Sequence, residues 1–117
     1  MKIYISGPIT GRDKKEYLEH FQKAEDFIRK NGWFPVNPAK MQAFLPEEET
    51  THDEYMVVSL AELSICDGIY MLKGWKKSKG AKREMETALL NGKFIIHEDG
   101  PAVYCGTGSM EEGKSDS

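Results

Sequence analysis

The chain has 117 residues, of which 39% are hydrophobic and 30% charged, and its formal net charge is -3. This length and composition fit one soluble globular domain with a single core. The small negative charge argues against a nucleic acid polymer as partner, and no apolar run is long enough to cross a membrane. The two cysteines are far apart and lack a CxxC neighbour, so the sequence predicts neither a disulfide framework nor a zinc site, and it fits the reducing cytoplasm.

β-rich runs and helical patterns alternate along the chain. The runs typical of strands are Lys2–Ser6, Trp33–Val36, Gly68–Leu72 and Lys93–His97, and the patterns with helical spacing cover Lys14–Lys30, about 53–64 and about 78–91. Pro35 interrupts the second strand, which predicts an edge position. Such alternation predicts an α/β fold whose parallel strands are joined by right-handed crossovers, with helices on both faces.

The composition changes near the end of the chain. After residue 99 it turns to Gly, Ser, Glu and Asp. We therefore predict one domain over residues 1–99 and a flexible tail over residues 100–117.

Three predicted loops follow the carboxyl ends of strands, where parallel sheets bind their ligands: 7–13, 37–40 and 73–78. In the first loop, Gly7 and Gly11 would let backbone amides approach an anion, but the same residues also suit a plain turn between strand and helix. Ser78 stands where a helix N-cap is expected. It predicts either a structural cap or a cap that also helps to bind an anion at the helix start.

The last predicted helix contains two glutamates that differ in their position. Glu84 flanks the apolar stripe, whereas Glu86 points to solvent. A partly desolvated Glu84 carboxylate would have a raised pKa, which suits a nucleophile or an acid/base group. A surface ion pair with a neighbouring cation is the alternative. The stripe itself consists of Ala81, Met85, Ala88 and Leu89.

Three segments together resemble the nucleoside 2-deoxyribosyltransferase superfamily, most closely its small phage and bacterial branch. They read "SGPITG", "CDGIYML" and "SKGAKREMETALLNGK", and the resemblance covers about residues 1–97. It implies a flavodoxin-like or Rossmann-like α/β sandwich, with a parallel sheet of four or five strands flanked by helices. It also implies cleavage of N-glycosidic bonds in 2′-deoxynucleosides or their 5′-monophosphates by a glutamate nucleophile.

The resemblance carries residue roles onto this sequence. The family spacing "E...A" is met by Glu84 and Ala88, which makes Glu84 the expected nucleophile. Tyr4 matches a tyrosine near the catalytic carboxylate, and Asp67 matches a supporting aspartate at the start of the third strand. Family transferases carry an aspartate six positions before the glutamate, whereas deoxynucleotide hydrolases carry a phosphate-binding serine, and this chain has Ser78.

The resemblance also marks a ligand-binding set around the carboxylate. Thr10 departs from the hydrolases, which have an arginine at this position, although Arg12 lies close in sequence. Trp75 could stack on a base or merely cover its loop, and Asn37, on the ligand side of the second strand, could contact a base. The residues expected to bind the phosphate or sugar are Gly7, Pro8, Ile9, Thr10, Gly11, Ser78 and Gly80.

The leading hypothesis is therefore a 2′-deoxynucleoside 5′-monophosphate N-hydrolase. A deoxyribosyltransferase and a non-catalytic nucleotide-sensing module of the same fold are the alternatives. The expected ligand is a small deoxynucleotide or deoxynucleoside, without a metal or another cofactor. By resemblance, we expect a homodimer that shares active-site residues between its subunits.

Overall fold

The computed structural model describes residues 1–9, 11–100 and 103–105, with the backbone alone for residues 41–43 and 103–105. Its strands are β1 (Lys2–Ser6), β2 (Phe34–Val36), β3 (Gly68–Met71), β4 (Phe94–His97) and β5 (Val103–Cys105). Its α-helices are α1 (Lys14–Lys30), α2 (His52–Ser64) and α3 (Lys79–Leu90), and 3₁₀ turns cover Pro38–Ala43, Glu47–Glu49 and Trp75–Lys77. No helix in these ranges is long and apolar enough to span a membrane.

The strands form one sheet in the order β2-β1-β3-β4-β5. The first four strands are parallel, and the predicted α/β fold with helices on both faces is confirmed. The order 2-1-3-4-5 is that of flavodoxin-like proteins. Each predicted helix and strand matches its observed bounds to within one residue, and β2 with its Pro35 lies at the sheet edge as predicted.

The far edge of the sheet differs from the prediction. β5 pairs antiparallel with β4, in the register of Ile95 with Tyr104. The sheet therefore extends beyond the predicted domain boundary at residue 99. Residues 101–102 and 106–117 of the predicted tail lie outside the described residues.

Alternation along β1 divides the core into two layers. Ile3 and Ile5 pack on one face against α1, in a cluster with Phe21. Tyr4 belongs to the opposite cluster, which the side chains of α2 and α3 complete, and Ser6 points the same way as Tyr4. Because side chains alternate between the faces of a strand, β1 gives apolar contacts to α1 and hydroxyl groups to α3.

All three helices begin at the carboxyl edge of the sheet, and each has a side-chain cap. The Asp13 carboxylate caps α1, the Thr51 hydroxyl forms a capping box with Glu54 at α2, and the Ser78 hydroxyl accepts the Ala81 N–H at α3. A cap satisfies part of the first helical turn and leaves other N–H groups free. The partial positive charges of three helix starts therefore meet at one edge.

The ends of β1 and β3 lie in close contact. The Leu72 N–H donates to the Ser6 carbonyl at 2.8 Å. A Cβ added to Gly7 would lie 2.7 Å from Leu72 Cδ1 and 2.8 Å from Leu72 Cβ. Glycine at position 7 was expected either to let its amide approach an anion or to form a plain turn, and the structure shows a close approach to Leu72.

We expect Gly7→Ala to lower the free energy of unfolding by about 1–3 kcal/mol, because the added methyl group overpacks the contact with Leu72. Urea denaturation measures the change. Gly80→Ala is the matched control, since its nearest neighbour would be the flexible end of Met56, with Sδ at 3.2 Å. Equal stability of the two variants would contradict the prediction.

Candidate active site

A cleft of about 410 Å³ opens at the carboxyl edge of the sheet, at the boundary between β1 and β3. The order of the strands reverses at this boundary, which is where flavodoxin-like folds bind ligands. We call Tyr4, Ser59 and Glu84 the floor of the cleft. We call the lining residues near the three helix starts the rim: Gly11, Arg12, Lys14, His52, Ser78 and Gly80.

The Glu84 carboxylate is fixed by two hydroxyl groups from β1. Ser6 Oγ donates to Glu84 Oε1 at 2.6 Å, and Tyr4 Oη donates to Oε2 at 2.9 Å. Tyr4 and Ser6 are two residues apart in the strand and therefore project to the same face. Both carboxylate oxygens are thus oriented before any ligand binds.

The position of Glu84 on α3 explains its burial. Ala81, Glu84 and Ala88 form the buried face of the helix, with Glu84 only 7% exposed. The periodicity placed Glu84 at the border of an apolar stripe that included Leu89. In the structure, Leu89 is 42% exposed, so the buried face of α3 is rotated towards Glu84 relative to the predicted stripe. Glu84 therefore lies at the centre of that face.

Burial shapes the chemistry of two floor residues, Glu84 and Tyr4. Desolvation raises the pKa of Glu84, while the hydrogen bonds from Ser6 and Tyr4 partly oppose this rise. Desolvation and the neighbouring carboxylate raise the pKa of Tyr4 well above its ordinary value. Tyr4 therefore remains a protonated donor, and Glu84 is a basic carboxylate, which suits a nucleophile.

The rim combines cations with the start of α3. Ser78 Oγ accepts the Ala81 N–H at 3.1 Å, which leaves its own proton free to donate. Gly80 lies in the first turn beside it, and Arg12 and Lys14 line the cleft from the start of α1. These groups suit an anion at the mouth of the cleft.

The first turns of α2 form a wall that the sequence analysis did not include among the site residues. A Cβ added to Gly80 would lie 3.2 Å from Met56 Sδ and 3.5 Å from His52 Nε2, so glycine lets this wall approach α3. The Tyr55 hydroxyl is buried in the wall and has no hydrogen-bond partner among the described residues. A buried hydroxyl without a partner is costly, which makes Tyr55 a candidate ligand contact.

Most residues of the predicted site come together in the cleft. Thr10 lies outside the described residues, and the supporting residue Asp67 lies elsewhere. The predicted residues that line the cleft are Tyr4, Gly7, Ile9, Gly11, Ser78, Gly80 and Glu84.

The predicted placement of Asp67 in the active site needs correction. Asp67 is exposed and precedes β3, and its Oδ2 accepts the Lys2 N–H at 2.8 Å. The Asp67 N–H donates in turn to the Lys2 carbonyl. These bonds hold Asp67 at the amino ends of β1 and β3. The cleft opens at the carboxyl ends of the strands, so Asp67 lies on the opposite edge of the sheet.

Three other predicted contacts also turn away from the cleft. Asn37 Nδ2 donates to Glu25 Oε1 at 3.2 Å, and Asn37 Oδ1 accepts a backbone N–H, so that Pro38 lines the cleft instead. Trp75 packs against the core, with its ring centroid 6.1 Å from that of His97. Pro8 borders a second cavity beside α1. For Trp75, the structure agrees with the alternative that it covers its loop.

Ser6 and Ser59 were missed, although both had a signal in the sequence. Ser6 follows Tyr4 by two positions, so strand alternation predicts a shared face. Ser59 follows His52 by seven positions and Met56 by three, which places it on the same helical face. The sequence did not show that α2 would lie against α3 at this face.

Comparisons with known proteins agree with this architecture. Residues 1–97 match the family described as a domain of unknown function (DUF4406), and no curated protein matches the chain significantly. The 2-deoxyribosyltransferase of Bacillus psychrosaccharolyticus has a similar structure, with a TM-score of 0.65 and 24% identity over 83% of this chain and 71% of that one. The CMP N-glycosidase of Clostridium botulinum has a TM-score of 0.55 and 16% identity over 83% and 67%. These matches confirm the predicted nucleoside 2-deoxyribosyltransferase-like fold.

We expect Glu84→Gln to stabilise the protein increasingly as the pH rises. Because the folded-state pKa of Glu84 is raised, ionisation favours the unfolded state between the ordinary and the raised pKa. The wild type then loses about 1.4 kcal/mol per pH unit across that range, whereas glutamine loses nothing. Below the ordinary pKa both states are protonated, and above the raised pKa the difference is constant.

Urea denaturation of wild type and variant, repeated at intervals of about one pH unit between about pH 3 and pH 8, checks this expectation. Glu86→Gln is the matched control, because Glu86 is exposed and lies two residues further along the same helix. A pH-independent difference between wild type and Glu84→Gln would show that burial does not raise the pKa of this carboxyl group.

Proposed function

The chain belongs to the family described as a domain of unknown function (DUF4406), and we propose that it cleaves the N-glycosidic bond of 2′-deoxynucleoside 5′-monophosphates. The observation that carries the proposal is the buried Glu84 carboxylate, held by Tyr4 and Ser6 at the floor of an open cleft. A carboxylate fixed in this way has the character of a glycosidic nucleophile.

The reaction proceeds in two displacements at the anomeric carbon. One oxygen of Glu84 attacks this carbon, and the bond to the base breaks with its electron pair leaving on the base nitrogen. Water then attacks the same carbon and releases 2-deoxyribose 5-phosphate, which restores the carboxylate. Overall, water supplies a hydroxyl group to the sugar and a proton to the base.

Glu84 and the two hydroxyl groups that hold it contribute to both steps through orientation and charge. The transition states resemble an oxocarbenium ion, whose positive charge the Glu84 carboxylate stabilises. Tyr4 and Ser6 hold the attacking group in one orientation, which lowers the entropic part of the barrier. Their hydroxyl groups also stabilise the carboxylate when it leaves the sugar in the second step.

A 5′-phosphate fits the rim. Ser78 offers a hydroxyl donor, the start of α3 offers free N–H groups, and Arg12 and Lys14 supply positive charge from α1. Arg12 can fill the role that the hydrolases give to an arginine at position 10. The rim therefore favours nucleotides over uncharged nucleosides.

The structural neighbours support the choice of bond. One is named a 2-deoxyribosyltransferase and the other a CMP N-glycosidase, so both names describe chemistry at a glycosidic carbon. Deoxyribosyl transfer is the second candidate, because the transferase has the higher TM-score of the two. The serine at position 78 favours hydrolysis. The homodimer and the cytoplasmic location remain predictions.

The purified protein is expected to release free base from at least one of the four common deoxynucleoside monophosphates, as measured by liquid chromatography. Glu84→Gln removes the nucleophile and is expected to lose this activity while keeping nucleotide binding, whereas Glu86→Gln keeps both. Product formation that requires an added acceptor base would identify a transferase. Binding without turnover in wild type and Glu84→Gln alike would identify a nucleotide sensor.

Ser78→Asp tests the phosphate site without removing the helix cap, because aspartate caps as well as serine. It replaces a hydrogen-bond donor with a charge that repels the phosphate. We expect kcat/KM for the monophosphate to fall by at least about 10- to 150-fold, the equivalent of a charged hydrogen bond of about 1.5–3 kcal/mol. An equal loss with the parent deoxynucleoside would contradict phosphate recognition by Ser78.

A further inference from the structure

His52 lines the cleft, but the proposed reaction does not use it. It is the first residue of α2 and directly follows the Thr51 cap. Its side chain is exposed, although it belongs to the lining. A ligand that enters the cleft therefore passes within reach of the imidazole.

The imidazole lies across the start of α3 from the Ser78 hydroxyl. A Cβ added to Gly80 would lie 3.5 Å from His52 Nε2 and 3.9 Å from Ser78 Oγ, so both atoms border the same point. Since residue 80 is glycine, α3 places no side chain at that point. A phosphate has three terminal oxygens that accept hydrogen bonds, so the two groups can bind different oxygens of one phosphate.

The fixed charges of the lining cancel one another. Among the described residues that line the cleft, Arg12 and Lys14 are positive, whereas Glu47 and the ionised Glu84 are negative. A histidine side chain changes its charge between about pH 5 and pH 8. Protonation of His52 therefore gives the lining a net positive charge.

The charged groups beside His52 on α2 and in the turn before it are acidic. On α2, Asp53 is exposed, and the Glu54 carboxylate accepts the Thr51 N–H at 2.8 Å. The turn before α2 contributes Glu47 to the lining. A protonated His52 is thus the cation on the α2 side of the cleft, opposite the two cations at the start of α1.

We propose that His52 is a second phosphate-binding residue, opposite Ser78, and that its protonation strengthens the binding of a phosphate monoester in the cleft. The inference rests on the proposed function, because the ligand is the 5′-phosphate of the proposed substrate. A hydrogen bond from a charged donor to a phosphate is about twice as strong as one from a neutral donor. The contribution of His52 to binding therefore grows as the pH falls.

Calorimetric titration with 2-deoxyribose 5-phosphate measures this contribution without any reaction, because the ligand has no glycosidic bond. Wild type and His52→Gln are compared between about pH 5.5 and about pH 8.5, the range in which histidine titrates. The titration of the phosphate itself is common to both proteins. We expect His52→Gln to bind roughly 5- to 12-fold more weakly than wild type at the acidic end, the difference between a charged and a neutral hydrogen bond. At the basic end the two proteins should bind alike.

Two further variants serve as controls. Lysine keeps its charge throughout this range, so His52→Lys should bind at least as tightly as wild type at the basic end. His20 borders the second cavity and pairs with Glu98 at 2.8 Å, so His20→Gln removes a histidine that lies outside the cleft. A difference between wild type and His52→Gln that does not change with pH, or an equal change for His20→Gln, would overturn the inference. Failure of wild type to bind the ligand at any pH would also overturn it.

The binding measurement separates this inference from the proposed function. If no deoxynucleoside monophosphate loses its base but binding depends on His52 and pH as expected, the reaction is wrong and the phosphate site stands. If base is released but the difference is flat, the reaction stands and His52 does not bind the phosphate. Because His52 is exposed, its replacement leaves the core intact, and an unchanged midpoint of thermal unfolding checks this for each variant.

Discussion

The burial of one carboxylate is the constraint on which the site depends. Glu84 is removed from water by α3 packing onto the sheet, and two hydroxyl groups of a central strand replace the lost hydration. Hydrogen bonds of this kind make burial tolerable but do not restore the free energy of full hydration. The protein therefore keeps a basic group at a point that could otherwise hold a more stable apolar side chain.

The strand order determines where this group can be reached. Because the chain reverses direction across the sheet after β2, α1 lies on one face and the other two helices on the opposite face. The loops after β1 and β3 then separate and leave a crevice between them. The same topology brings three helix starts to its mouth, so an acidic centre lies beneath a positive entrance.

The fold was readable from the sequence because its signals are local. Helical spacing in Lys14–Lys30 and the apolar run at Gly68–Leu72 each predicted an element without knowledge of its neighbours. The edge position of β2 followed from Pro35, which lacks a backbone donor. β5 was missed because its short segment lies in a region of polar, glycine-rich composition.

The site was less readable because it depends on which faces meet. Tyr4 and Glu84 could be named, but Ser6 needed the knowledge that β1 lies beneath α3. Asp67 was wrongly assigned to the active site because a match to the family sequence does not show whether a residue lies at the amino or the carboxyl edge of the sheet. Asn37 lies at the correct edge, but Glu25 of α1 holds its side chain.

The contact between Gly7 and Leu72 separates a part of the cleft in which substitutions are sterically restricted from a part in which they are not. It joins the ends of the two central strands so closely that any side chain larger than that of glycine at position 7 would have to displace Leu72. Other lining residues, such as Glu47 and Thr50, lie in or next to the 3₁₀ turn Glu47–Glu49, outside this contact. New substrates could thus arise within this fold by exchanging residues at the mouth, while the reacting group beneath them is inherited unchanged.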